Sequence, residues 1–432
     1  MTHEAPALRL IERPFIQQND FGLWPFHLHA LIRSTIRTAD DQTDDRWSSR
    51  DWREAAERAF AGLGEQWAAR PAPDRRLLVG CLRQGLAVAA DFGLDLGWLI
   101  DAAWAYISDS VWEPLTPATG QEPTTRPETA AAALVELLNA LGRRQHQHRE
   151  RTTQRLAAVT GTGLLPADLE EMGTYYWAKA QRDLGNSEAS RQGMQRVTDG
   201  GGRLALAARR GLAHLARLAG DFPAALATAE SLGWPGRHHR VTGDVWWVQG
   251  DMARAAAAYE AARAEAETHG IAGERATSQA QRAFVLAFTH PAHADDEIDL
   301  ATQLLTGLDL RATALTVQIA SLVRDAGSPH GMEARIHTLG AEINAAGLVS
   351  AQVSLELATC FHHAVIGADT DVAATISRLR TATQGGDYAY FVDIAHFMGG
   401  LTLDNPSPAR WLDGAHAIRL RWRALVTNRR TQ

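Results

Sequence analysis

The stretch RVTGDVWWVQGDMARAAAAYEAARAEAE, residues 240–267, decides the fold of this chain. Small and apolar residues recur at spacings of three and four on both sides of Gly250, a pattern that predicts two helices joined by a tight turn. Gly243 and Ala255 are small enough to let the two helices approach closely. Two aromatic residues are expected to fill the space between this hairpin and its neighbours: Trp246 and Tyr259. The stretch therefore predicts one antiparallel helix hairpin.

Two further segments carry the same pattern. RRGLAHLARLAGDFPAALATAE, residues 209–230, has its turn at Gly220, and WAKAQRDLGNSEASRQGMQRV, residues 177–197, has its turn at Gly185. The three turn glycines lie 35 and 30 residues apart. This spacing predicts a degenerate internal repeat rather than three unrelated hairpins.

The order of small, aromatic, Gly, Ala, aromatic and Ala in the first copy resembles the tetratricopeptide repeat, a helix–turn–helix unit of about 34 residues. The resemblance implies an α-solenoid of antiparallel helix hairpins with one long concave face. The alternative is a generic helical bundle in which the Gly-Asp turns recur by coincidence.

Strong helix formers dominate the whole chain, and strand signals are scarce, so we predict an all-α protein. Four prolines and four threonines within residues 113–128 predict a linker. The sequence accordingly divides into five segments: a winged-helix-end-like segment over 1–40, a first helical block over 41–112, the linker over 113–128, tetratricopeptide-like repeats over 129–290 and degenerate helical hairpins over 291–426.

The N-terminal segment has a different character. RPFIQQ, residues 13–18, and LWPFHLH, residues 23–29, predict a β-hairpin that leads into a helix. The string resembles the end of the winged-helix region in signal-transduction ATPases with numerous domains, most closely the Ala- and Arg-rich actinobacterial members. Six consecutive residues carry this resemblance: Leu28, His29, Ala30, Leu31, Ile32 and Arg33. The family has Asp where Ala30 stands, so we do not expect this piece to sense a nucleotide.

Composition excludes several classes of function. The chain has 43 Lys and Arg residues, and Lys179 is the one lysine among them. Lys179 lies in YYWAKAQ, outside any Gly-rich phosphate loop, so the chain does not supply a P-loop ATPase. A net charge of −7 does not favour direct binding to nucleic acid. No apolar stretch suits a signal peptide or a membrane span, and two distant cysteines suit a reducing cytoplasm.

Histidine pairs are the nearest approach to a metal motif. Each could supply two ligands, but a metal site needs three or four that converge. We therefore expect surface or packing roles, no metal and no cofactor. The pairs considered are His146 with His148, His238 with His239, His290 with His293, and His362 with His363 beside Cys360.

The repeat resemblance predicts a ligand groove. In that family the first helix of each hairpin lines the concave face, and positions one turn apart face the ligand. Carrying the register onto this sequence gives nine residues: Tyr175, Lys179, Arg182, Arg210, His214, Arg217, Arg240, Asp244 and Trp247. Since six of the nine are Arg, Lys or His, the groove would suit a carboxylate, a phosphate or an acidic peptide. The alternative is a solvated helix face in an Arg-rich protein.

These patterns predict a non-enzymatic binding protein with no catalytic residues. Its partner would be a protein, a peptide or a small anionic ligand, and neither nucleic acid nor membrane. The two resemblances together imply the sensor half of a cytoplasmic signalling or transcriptional regulator whose ATPase half lies elsewhere. The alternatives are a free-standing adaptor without an ATPase link and an all-α enzyme.

Overall fold

The computed structural model describes residues 16–18, 26–28, 48–69, 75–107, 127–328, 330–384 and 386–431. Over these residues the chain is α-helical apart from one short β-hairpin, so the prediction of an all-α protein is confirmed. Nearly all of the predicted linker lies outside the described residues. Within the described ranges, no helix is both long and apolar enough to cross a membrane.

The β-hairpin lies where the N-terminal sequence predicts it. Strands β1 (Ile16–Gln18) and β2 (Phe26–Leu28) pair antiparallel, with Ile16 opposite Leu28. The helix predicted to follow, and with it residues 29–33 of the second resemblance, lies outside the described residues.

The first compact unit contains four helices: α1 (Ser49–Ala69), α2 (Arg75–Phe92), α3 (Leu99–Tyr106) and α4 (Ala130–Gly142). Helix α2 contacts each of the other three. The Trp98 ring fills the space beside Gly64 and Gly85, where an added Cβ would lie 2.7 Å from the ring at either position. In this part of the chain the first unit ends at Gly142, apart from residues 162–165, which also belong to it.

The second unit contains fifteen helices within the described residues: α5 (Arg149–Val159), α6 (Ala167–Asp183), α7 (Ser187–Gly200), α8 (Ala205–Leu218), α9 (Phe222–Glu230), α10 (His238–Val248), α11 (Met252–Thr268), α12 (Ala272–Thr289), α13 (Pro291–Leu304), α14 (Arg311–Arg324), α15 (Met332–Ala346), α16 (Val349–Ile366), α17 (Asp369–Ala382), α18 (Ala389–Gly399) and α19 (Gly414–Thr431). A 3₁₀ turn, Trp234–Gly236, precedes α10. Successive helices from α6 to α17 pack as hairpins, and the first helices of neighbouring hairpins also touch, as α8 touches α10 and α14 touches α16.

Glycines at the predicted turns adopt the left-handed conformation that the turns require. Gly185, Gly220 and Gly250 have φ of 86°, 81° and 72° and join α6 to α7, α8 to α9 and α10 to α11. The aspartates after two of them cap the next helix: Asp221 accepts from the Ala224 N–H and Asp251 from the Arg254 N–H. One Gly-Asp dipeptide thus ends one helix and starts the next.

The close approach at Gly243 is made by the Tyr259 ring. A Cβ at this position would lie 2.6 Å from that ring, so Gly243 makes room for an aromatic side chain on the second helix of its own hairpin. Trp246 was expected to fill the space between hairpins, but it is part-exposed and stacks on Arg254, 4.5 Å from the ring centroid, within its hairpin. Trp247 is the buried neighbour.

Helix α19 runs across the C-terminal ends of four first helices. The Trp422 Nε1–H donates to the Val248 carbonyl at 3.2 Å, and Arg429 Nη2 donates to the carbonyls of Ala287 and Val323 at 2.6 and 2.9 Å. Arg430 Nε donates to the Ala364 carbonyl at 2.9 Å. These carbonyls lie in the last turns of α10, α12, α14 and α16, where they accept no N–H from within their own helix. Those of Val323 and Ala364 also accept from the N–H groups of Ala326 and Gly367, which follow the helices.

Ala255 is fully buried within its hairpin, whereas Ala257 on the same helix is exposed. We expect Ala255→Leu to lower the free energy of unfolding by about 1–3 kcal/mol, because a well-packed site cannot accept three extra carbons without strain. Ala257→Leu is the matched control and should change it by less than about 0.5 kcal/mol. Urea denaturation measures both, and equal effects would show that this packing contact is misplaced.

Trp422 combines full burial with a hydrogen bond to the end of α10. Trp422→Ala should lower the free energy of unfolding by about 3–5 kcal/mol, because it leaves a cavity and strands a carbonyl. Leu420→Ala, on the same helix but 57% exposed, should have little effect. Guanidinium denaturation measures both variants. A small loss of unfolding free energy for Trp422→Ala would show that the packing of α19 against the ends of the inner helices does not stabilise the second unit.

Candidate functional site

The first helices of the second unit enclose one cavity of about 300 Å³. Helices α5, α6, α8, α10, α12, α14, α16 and α18 all contribute side chains to its wall. The structure brings all nine residues of the predicted groove to this cavity: Tyr175, Lys179, Arg182, Arg210, His214, Arg217, Arg240, Asp244 and Trp247. That these residues bind a ligand remains a prediction.

Cations outnumber carboxylates in the described wall of the cavity. Six arginines and one lysine line it: Arg144, Arg149, Lys179, Arg182, Arg210, Arg217 and Arg240. Three carboxylates face them: Asp183, Asp244 and Glu274. The excess of positive charge in a concave, partly desolvated site favours an anion.

Glu274 pairs with three guanidinium groups, more than any other carboxylate in the described wall. It is buried, and its Oε1 lies 2.6 Å from Arg240 Nε, while its Oε2 lies 3.6 Å from Arg210 Nη1 and 3.5 Å from Arg237 Nε. One negative charge therefore serves three positive ones. The arrangement fixes the arginines in place but leaves their charge only partly neutralised.

Arg217 has no carboxylate within 4.0 Å among the described residues, and its Nη1 donates instead to the Tyr390 hydroxyl at 3.1 Å. Its Nε is buried and finds no acceptor in the described part of the chain, and the same holds for Arg210 Nη1. A buried N–H group without an acceptor costs about 1–3 kcal/mol, more when it is charged. Both groups would gain an acceptor from a bound anion.

His214 lies among the arginines as a neutral ring. Burial, followed by the positive charges of Arg182, Arg240 and Arg217 and then Arg210, holds its pKa well below the usual 6.5. Its Nδ1 is 3.4 Å from Asp244 Oδ2, too long for a strong ion pair. Asp244 also accepts from the Tyr259 hydroxyl at 2.7 Å, so the acid is shared between a phenol and an imidazole.

Aromatic side chains form another part of the wall. The Trp247 ring packs edge-on against Phe284 and Phe391, with centroids 5.3 and 5.6 Å apart. Tyr388 completes this side, and its N–H donates to the carbonyl of Leu218 at 2.8 Å. The cavity therefore offers an apolar surface beside its guanidinium groups.

Cations and a tyrosine lie together on the α5–α6 side. The Arg144 guanidinium lies 4.9 Å and the Lys179 ammonium 5.8 Å from the centroid of the Tyr176 ring. Asp183 pairs with Arg149 at 3.2 Å and with Arg182 at 3.4 Å. Here too one carboxylate serves two guanidinium groups.

Sequence reasoning missed several residues of the wall, of which Glu274 is the most important. Glu274 follows Arg240 by 34 residues and Gln281 follows Trp247 by 34, the period of the repeat family. Extending the repeat register by one further period of 34 residues, past the Gly250-Asp251 turn, would have placed Glu274 and Gln281 on the same face. Phe391 and Tyr388 belong to α18 or its cap, which the sequence did not predict.

Half of the candidate histidines are exposed, namely His146, His148, His290 and His293, and two of the eight accept a backbone hydrogen bond. His362 Nδ1 accepts from the Gly327 N–H at 3.1 Å, and His148 Nδ1 accepts from the Glu150 N–H at 3.2 Å. Burial raises the pKa of the Cys360 thiol to about 12, so it is a poor ligand and nucleophile. His238 and His239 differ, because both of them converge with a carboxylate, that of Glu265, into a group of three candidate ligands.

No protein-family model matches the chain, and no curated protein matches it.

The depressed pKa of His214 predicts a dependence of stability on pH. In the unfolded chain a histidine has a pKa of about 6.5, so the unfolded state binds more protons than the folded state as the pH falls below that value. Stability contributed by the neutral ring is therefore present above about pH 6.5 and lost on acidification.

We expect the free energy of unfolding to fall less steeply between about pH 6.5 and 5 in His214→Gln than in the wild-type protein, as urea denaturation at several pH values measures. His416→Gln removes an exposed imidazole on α19 and should keep the wild-type slope. The same slope in all three proteins would argue against a buried neutral ring.

Proposed function

We propose that the second unit is a tetratricopeptide-like α-solenoid whose cavity binds a small anionic ligand, without catalysis. The observation that carries the proposal is the pair of buried guanidinium N–H groups, on Arg210 and Arg217, that line the cavity without an acceptor. A carboxylate or phosphate is the natural acceptor, because Arg pairs with such groups through charge-assisted hydrogen bonds.

The repeat assignment is supported by three hairpins with left-handed glycines at their turns and by first helices that share one concave face. The positions that line the cavity also recur at about 34 residues from α10 to α12, as in Arg240 and Glu274. Both features are those expected of a stacked array of helix hairpins.

The size and the wall of the cavity favour a small ligand over an extended peptide. A volume of about 300 Å³ is at the lower end of small-molecule sites. Trp247, Phe284 and Phe391 offer an apolar surface close to the arginines. We infer an organic anion that carries both a negatively charged group and an apolar group.

We further propose a sensor role in cytoplasmic signalling or transcriptional regulation. The resemblance of the N-terminal segment to a signalling ATPase supports it, as does the β-hairpin found there. Two buried cysteines, Cys81 and Cys360, are compatible with a reducing compartment. The ligand would bias the array toward one state that a partner protein recognises.

Arg217→Gln tests the anion site with least disturbance, because Arg217 has no ion pair to break among the described residues. We expect this variant to weaken binding of phenyl phosphate at least tenfold, since a hydrogen bond from a charged group contributes about 1.5–3 kcal/mol. Isothermal titration calorimetry measures the affinity. Arg419→Gln removes an exposed arginine from α19 and is the matched control.

Phenyl phosphate should also bind the wild-type protein more tightly than inorganic phosphate, because only the former reaches the aromatic wall. If neither anion binds, or if Arg217→Gln binds as tightly as wild type, the small-anion proposal fails. Binding of an acidic peptide instead, lost in the same variant, would favour the adaptor role.

A further inference from the structure

Two histidines and a glutamate converge at the open end of the α10–α11 hairpin. His238 and His239 are the first two residues of α10, and Glu265 lies near the end of α11. One side-chain ligand atom from each lies within 4.8 Å of the other two. None of the three lines the anion cavity, so this cluster is a separate feature of the same repeat.

The geometry of the cluster is close to that of a metal site. The two imidazole centroids are 3.8 Å apart, and His239 Nε2 lies 3.7 Å from Glu265 Oε1. Ligand atoms about 2.0–2.1 Å from a tetrahedral zinc ion are about 3.3 Å from each other. A shift of a few tenths of an ångström would therefore bring this pair to bonding positions.

Two polar atoms of the cluster without hydrogen-bond partners also indicate a bound ion. His238 Nδ1 and Glu265 Oε2 are buried and have no hydrogen-bond partner in the described part of the chain. Buried polar atoms are nearly always paired, and an unpaired one costs about 1–3 kcal/mol. An ion bound by these two side chains would offset that cost.

The neighbouring Arg237 has a carboxylate partner outside the cluster. Arg237, which precedes the histidines, adopts a left-handed conformation with φ of 54°. Its Nε lies 3.5 Å from Glu274, on the cavity side, so its positive charge is partnered there. The turn at Arg237 starts α10 directly at His238, which places both histidines in its first turn.

We propose that His238, His239 and Glu265 bind a divalent transition-metal ion of the zinc type. Two imidazoles and one carboxylate suit zinc and its neighbours, whereas magnesium and calcium prefer oxygen ligands throughout. The ion would tie the first turn of α10 to the end of α11, opposite the Gly250 turn that closes the other end. The bound ion would thus cross-link the two helices at the end of the hairpin that has no turn.

The experiment uses the untagged full chain, freed of metal with a chelator and titrated with Zn²⁺ in a calorimeter. We expect one zinc ion per chain and a higher melting temperature in its presence, because a ligand that binds only the folded state stabilises it. His238→Ala, His239→Ala and Glu265→Gln should each weaken zinc binding by at least tenfold, since loss of an outer-shell partner already costs about 10- to 100-fold.

The control removes as many imidazoles from elsewhere. His290→Ala combined with His416→Ala deletes two exposed histidines and should bind zinc as the wild type does. If a histidine variant fails to fold, the near-isosteric Glu265→Gln carries the test, with folding checked by circular dichroism. Absence of zinc binding in the wild type, or unchanged affinity in Glu265→Gln and His239→Ala, would overturn the proposal.

Discussion

The hydrogen bonds from α19 to the ends of four inner helices are the interaction on which the second unit depends. The last turn of a helix leaves carbonyl groups without partners inside the helix, and one such carbonyl in each of α10, α12, α14 and α16 receives a donor from Trp422, Arg429 or Arg430. Two of these donors are guanidinium groups, whose charge also complements the negative end of each helix dipole. One helix thereby fixes four others relative to each other, and those four helices supply part of the wall of the cavity.

That constraint explains how so many like charges can be held in one place. Glu274 pairs with three guanidinium groups and Asp183 with two, while Arg217 has only a phenol. Holding these arginines close together with too few carboxylates costs free energy, and the packing of the helices that carry them must offset that cost. An anion that enters would recover part of this cost, and it would find the arginines already in position. Affinity gained in this way comes from preorganisation rather than from the area of contact.

The sequence predicted the features that depend on local spacing. Left-handed turns at Gly185, Gly220 and Gly250 and the shared face of the nine cavity residues follow from helical periodicity and from the freedom of glycine. Helix α18 could not be found this way, because its residues from Tyr390 to Met398 are all buried and show no polar face. The contact between His239 and Glu265 was equally beyond reach, since it joins the two ends of a hairpin that no local pattern brings together.

The preference of the chain for arginine acquires a physical meaning in the cavity. Of 43 basic residues only Lys179 is a lysine, and of the seven cations in the described wall it is again the only one. A buried ammonium loses its proton readily, whereas a guanidinium stays charged. Lys179 lies over the Tyr176 ring, 5.8 Å from its centroid, in a cation–π contact. The arginines thus keep the cavity positive at every physiological pH. Among the described residues of its wall, His214 is kept neutral by burial and by these same arginines, which hold its pKa well below the usual 6.5, so the positive charge of the cavity near neutral pH resides in the arginines and not in this ring.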